Sequence, residues 1–271
     1  MQVTINGHNT DLVVETEKTL GELLANLELW LENQGYSVSG LAVNGSSVVA
    51  ENLEKMYSLE LATIETLDIK ASSWVELYHQ ALQEALKLVR NLQEASFQER
   101  QKLVKDWQDS VSMRFIMDRD MELGQFLNTA FAGDGTLYSG LESLILERLG
   151  ELEDPLKAAK MIQSLFAETV QRMENLPLDL QTGKDRQAME TLQLFTVIMG
   201  KLFRLIPLLA FNGIKTDSLK PILEEIGTIL QDLLSAYETK DTVLVGDLAE
   251  YEIAPRLRSL QEALTPLLGS S

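Results

Sequence analysis

Residues 1–24, MQVTINGHNTDLVVETEKTLGELL, carry two structural signals in succession. Val3 and Ile5 alternate with polar neighbours, the period of a half-buried strand. Asn6-Gly7-His8-Asn9 supplies turn chemistry, and Leu12-Val13-Val14 begins a second strand, so the stretch reads as a β-hairpin. Thr19-Leu20-Gly21-Glu22 is then a capping box, in which the Thr19 hydroxyl and the Glu22 carboxylate satisfy free amides at a helix start. Leu20, Leu23, Leu24, Leu27, Trp30 and Leu31 follow at helical spacing, with Gly35 as the C-cap.

Further along, Leu41-Ala42-Val43 reads as a short strand, Asn44-Gly45 as a tight turn and Val48-Val49 as the strand after it. A last strand is expected at Thr66–Ala71, with Leu67 and Ile69 on one face. Hairpin, capped helix, short strand, irregular stretch and final strand over some seventy residues resemble the ubiquitin-like β-grasp fold. The opening MQVTI and the hairpin-then-helix layout carry that resemblance. Modifiers and sulfur carriers of this type act through a free diglycine tail. Here the final strand runs through Ala71-Ser72-Ser73 into Trp74, and the chain ends Leu268-Gly269-Ser270-Ser271. The resemblance therefore implies the fold's other use, a docking module.

From Trp74 the apolar period becomes helical: Trp74, Leu77, Tyr78, Ala81, Leu82, Ala85, Leu86, Val89 and Leu92 lie on one face. A second helix is expected from Phe97 through Trp107 and Phe115 towards Met121 or Phe131, ending before Gly133-Asp134-Gly135. Leu141–Leu152 is a third. Asp154-Pro155 opens a fourth, and Leu176–Gly183 reads as a loop containing Pro177. The fifth, Asp185 to Phe211, is apolar nearly all round, the pattern of a helix buried among others. Leu192–Phe211 approaches membrane-spanning length, but Lys201 and Arg204 near its centre cost about 3 kcal/mol each in a bilayer, which favours a bundle helix. A sixth helix runs Leu219–Tyr237, and a last one runs from Asp241-Thr242 past Pro255 to Leu268 with a kink. The expected class is α+β: a β-grasp domain over 1–72 and an antiparallel bundle of six to seven helices over 73–271.

The 271 residues hold 23 basic and 41 acidic side chains, a net charge of −18. A field of that sign disfavours phosphate backbones and anionic membranes, and basic protein surfaces are its complement. Residues 1–72 alone hold 3 basic and 11 acidic side chains. The chain has no cysteine, which excludes disulfides, thiolate metal sites and a cysteine nucleophile. It opens as a strand, without a basic-then-apolar leader, so the cytoplasm is the expected compartment.

Histidine chemistry rests on His8, in a predicted turn, and His79, a boundary residue that follows Tyr78 on a predicted helix. Phosphate-binding, nucleophile-elbow and zinc-helix motifs are absent. Asp118-Arg119-Asp120-Met121-Glu122 lacks the glycine of a calcium loop and reads as a helix-surface charge cluster. A bundle-level likeness to the phosphate-signalling PhoU proteins lacks their Glu/Asp-x-x-x-Asp spacing. No catalytic, cofactor or metal residue is therefore assigned. One stretch is less generic: Asp247, Glu250 and Tyr251 fall on roughly one helical side just before Pro255, as a solvated face or an acidic-aromatic docking face for a basic partner. The expected function is a non-enzymatic intracellular protein-binding adaptor, chaperone-like or regulatory protein. The alternatives are a carboxylate- or metal-dependent bundle and a structural subunit that forms homo-oligomers.

Overall fold

Asn6 and Gly7 both have positive φ, 51° and 78°, and so do Asn44 and Gly45, at 51° and 76°. That conformation is costly for most side chains and cheap for asparagine and glycine. In this computed structural model, which describes residues 1–10, 17–48, 55–133 and 135–269, the two turns join β1 (Gln2–Ile5) to β2 (His8–Asn9) and β3 (Tyr36–Val43) to β4 (Ser46–Ser47). His8 and Asn9 are already strand, so the first turn is Asn6-Gly7 alone. Leu12-Val13-Val14 and Val49 lie outside the described residues.

The two asparagines also anchor the fifth strand, β5 (Thr66–Ser73). The Asn6 side chain accepts from the Ala71 amide at 3.0 Å and donates to the Ala71 carbonyl at 2.9 Å. Asn44 Oδ1 accepts from the amides of Glu65 and Thr66 at 2.8 and 3.1 Å. The sheet order is β2-β1-β5-β3-β4, with β1 parallel to β5 and the other pairs antiparallel. A register shift in β3 between Val38 and Gly40 is a bulge at Ser39, whose hydroxyl donates to the Lys70 carbonyl at 3.1 Å.

Helix α1 (Leu20–Asn33) has the expected capping box on Thr19 and Glu22, and Gly35 adopts φ +78° just past its end. Leu20, Leu23, Leu24, Leu27 and Leu31 are buried with Val3, Leu41, Val43, Leu67 and Ile69 of the sheet. Trp30 was expected on that face and is instead 55% exposed.

The remainder is helical, and among the described residues it contains ten α-helices, more than the six or seven expected. Ser73 caps α2 (Trp74–Glu94) with Glu76 as its reciprocal partner, so strand passes directly into helix there. The predicted second helix is three: α3 (Phe97–Gln108), α4 (Val111–Arg119) and α5 (Met121–Ala132). The breaks are N-caps, with Ser110 accepting from the Met113 amide and Asp120 from the Leu123 amide. Asp120 is therefore not part of a surface charge cluster. It is buried, and its other oxygen accepts from the Tyr78 hydroxyl at 3.1 Å. Asp120→Ala is expected to cost about 2–4 kcal/mol, the sum of a lost cap and a lost bond to a charged acceptor. Asp120→Asn, which keeps a capping oxygen, should cost less; urea unfolding of both variants measures the difference.

Helices α6 (Tyr138–Glu153), α7 (Pro155–Gln181), α8 (Asp185–Phe211), α9 (Lys220–Glu238), α10 (Thr242–Asp247) and α11 (Ala254–Gly269) complete the chain. The stretch expected as a loop at 176–183 is helix as far as Gln181, and Pro177 lies inside it. A Cβ at Gly246 would sit 3.1 Å from Pro177 Cα, so the helix accepts this proline where the chain around α10 packs closely on it. The chain forms two compact units, Met1–Leu141 and Glu142–Ser271. Reading by periodicity divides it at 72/73; strand gives way to helix between Ser73 and Trp74, and the compact units divide inside α6.

Candidate functional site

Helix α8 does not bury its whole circumference. Phe195, Ile198, Met199, Leu202 and Leu205 are buried, but Met189, Val197, Phe203 and Phe211 are exposed. Among the described residues it is the helix long and apolar enough to cross a membrane, and 44% of its most apolar window is buried here. Its two central cations are paired inside the protein. Lys201 Nζ lies 2.5 Å from Glu147 Oε1, and Arg204 Nε lies 3.1 Å from Glu151 Oε2. Glu151 is also 3.9 Å from the buried Arg148. Burial pushes the Glu147 carboxyl up, but the Lys201 ammonium, and behind it Arg148 and Arg204, hold it below the usual carboxylate range.

Beside this network α8 and α9 enclose a groove of about 720 Å³. Met189, Leu192 and Val197 form one wall and Leu230, Leu234 and Tyr237 the other. Phe195, Leu233 and Val245, all buried, are the floor. Gln193 and Thr196 are the polar lining residues, and the Thr196 hydroxyl donates back to the Leu192 carbonyl at 2.9 Å. Leu234 and Tyr237 are 59% and 50% exposed, a concentration of open apolar surface that marks interaction sites. A cleft of about 560 Å³ in the first unit, between α1, β3, α2 and α4, is more mixed, with Glu84 accepting from the Ser112 hydroxyl at 2.5 Å.

The chain that runs on from Val245 on the groove floor carries the acidic-aromatic trio, which itself lies outside the groove lining. After α10, residues Leu248–Ile253 form a π-helix, in which the Ala254 amide donates to the Ala249 carbonyl. Pro255 explains it: without an N–H it cannot serve the Tyr251 carbonyl, and its ring crowds that group, so the turn widens. The predicted kink is therefore a π turn. Asp247 and Tyr251 are exposed and Glu250 is half-buried. The Tyr251 phenol is pushed up by the Glu250 carboxylate beside it, which also bonds its hydroxyl, and by Asp247 further off. The structure thus brings the three together. Ala254, three residues on from Tyr251, is fully buried, because the wide turn slips the helical faces.

Sequence reasoning missed the groove. Its available signal was excess apolar width: Leu230, Leu233, Leu234 and Tyr237 are more than one buried stripe needs. His79 lies half-buried on α2 and His8 is exposed in β2. Among the described residues no group of three or more His, Asp or Glu side chains is placed to hold a metal ion.

Residues 1–73 match the family model described as the TP0873 N-terminal domain, and the match ends on the last residue of β5. Residues 157–263 match a domain of unknown function (DUF8042), a span that contains every groove residue and the π turn. An uncharacterized protein of Treponema pallidum (strain Nichols) is 23% identical over 271 residues, covering 97% of this chain and 96% of its own. No solved structure matches the chain.

Proposed function

We propose that this chain is a non-enzymatic, intracellular protein-binding protein, an adaptor or chaperone-like regulator, and that the α8–α9 groove is its binding face. The observation behind this reading is the groove itself, with large apolar side chains left open to solvent and almost no polar group to orient a reacting molecule. The N-terminal sheet is a ubiquitin-like β-grasp module in this reading. Its strand order, the parallel β1–β5 pair and the leucine face of α1 packed on the sheet support that assignment. Such a module adds a second docking surface with a dense negative charge.

A photo-crosslinking residue placed at Leu234 in the native cell tests the groove. Discrete protein adducts are expected there and not at the exposed Lys160 of α7. The same adducts at both positions, or none at Leu234, would remove the reading.

A further inference from the structure

We infer that the groove takes an amphipathic α-helix of a partner protein, with an apolar stripe along one face and lysine or arginine at the end nearest α10. This inference rests on the protein-binding reading above and specifies its partner.

The walls of the groove dictate the occupant's secondary structure. Both are helices that present side chains, with no strand edge to pair with, so an extended segment would enter with unpaired amides and carbonyls. A helix satisfies its own backbone. The outer surface of α8 also has the matching repeat. Met189, Gln193, Thr196, Gly200, Phe203, Pro207 and Ala210 recur at alternating intervals of four and three, and none is charged. All are open to solvent except Gly200, which is half-buried. That is the seam spacing of packed helices. It runs about 30 Å at 1.5 Å per residue, the length of a helix of roughly five or six turns. At Gly200 an added Cβ would come no nearer to a neighbour than 3.5 Å, from Arg204, so the missing side chain leaves room for close approach.

The charge of the groove sets the partner's sign. The segment Leu230–Ile253, which supplies one wall through Tyr237 and the floor residue Val245, contains Asp232, Glu238, Asp241, Asp247, Glu250 and Glu252 against the single base Lys240. Glu252 is bridged by Arg256 at 2.7 Å. Glu238 lies one turn beyond Leu234, so an acid continues that rim row to the last residue of α9, and Asp241 follows past the helix end as the N-cap of α10. At the π turn Tyr251 offers an exposed ring beside Glu250 and Asp247, a pairing suited to a guanidinium or ammonium. A second copy of the chain is disfavoured, because it would bring another net −18 to an acidic rim.

The test uses the full chain and three labelled synthetic peptides, read by fluorescence anisotropy. The first is a leucine-lysine-alanine helix with a four-three apolar stripe. The second replaces its lysines by glutamate. The third scrambles the first to destroy the stripe at constant charge. The first should bind at least about tenfold more tightly than either control, a difference of about 1.4 kcal/mol. Raising salt should weaken it, Leu234→Glu should abolish it without moving the unfolding midpoint, and Glu238→Lys with Glu250→Lys should shrink the preference over the glutamate peptide to under about threefold, since it leaves four acids against three bases on the segment. Equal binding of the scrambled peptide would overturn the helix. Equal binding of the glutamate peptide would overturn the basic partner. Protein adducts at Leu234 with no binding of any peptide would overturn this inference while leaving the protein-binding reading; absence of both would remove the two together.

Discussion

Glu151→Ala is expected to lower the stability of the second unit by about 3–5 kcal/mol, the range for breaking a buried ion pair by removing one partner. Glu151 is buried with Arg148, and Arg204 reaches it through two nitrogens, at 3.1 and 3.3 Å. Removing the carboxylate takes from Arg204 the group it grips through two nitrogens, and leaves the buried Arg148 with Glu147, 3.7 Å away, as its remaining carboxylate. Replacing Glu151, Arg148 and Arg204 together by methionine should be neutral or stabilising by up to about 4 kcal/mol, because the desolvation cost goes with the charges. Urea unfolding of both variants separates these cases. The triple variant would also strip Arg204 from α8, so the network bears on how that long apolar helix is housed as well as on stability. Acid should reveal the neighbouring pair. The Glu147 pKa is lowered in the fold, so its contribution is present above the unfolded value of about 4.3 and is lost as pH falls through the folded one. Glu147→Gln should therefore flatten the loss of stability below about pH 4.

The parts legible in the sequence were those set by neighbours along the chain. Asn6-Gly7, Asn44-Gly45 and the Thr19/Glu22 box each specify a backbone geometry within four residues, and each is found where expected. The helix breaks at Ser110 and Asp120 were hidden because the apolar rhythm of Trp107, Met113, Ile116, Leu123 and Leu127 carries on across them. A single capping residue is a weak signal against such a pattern. Pro177 misled in the opposite direction, since its local tendency is to end a helix and its packing beside Gly246 is a tertiary fact. Asp247, Glu250 and Tyr251 could be grouped by local period, but the π turn that presents them arises from Pro255 acting backward on the preceding turn. The groove was the least legible feature. Leu233 and Leu234 are adjacent and chemically identical, yet one is 8% and the other 59% exposed, and only the neighbouring helices decide which is which.

That difference between adjacent leucines predicts how the groove separates stability from binding. Phe195 is 1% exposed and lies at the groove floor, so Phe195→Ala removes a large side chain from both the core and the binding face. It is expected to cost about 3–5 kcal/mol, the range for truncating a buried phenylalanine, and to deepen the groove. Leu234→Ala removes a side chain that is already in water, and its effect on unfolding should stay within about 0.5 kcal/mol. Binding should rank them otherwise. A partner's apolar stripe meets the rim first, so Leu234→Ala weakens capture while the fold is intact. Phe195→Ala weakens capture only in proportion to the protein it unfolds, and at low temperature, with the native fraction restored, it should still bind. Parallel urea melts and anisotropy titrations on the two variants distinguish a floor that holds the bundle together from a rim that holds the partner. Equal binding losses in the fully folded proteins would mean that the partner reaches the floor, and that the seam on α8 is deeper than its exposed residues indicate.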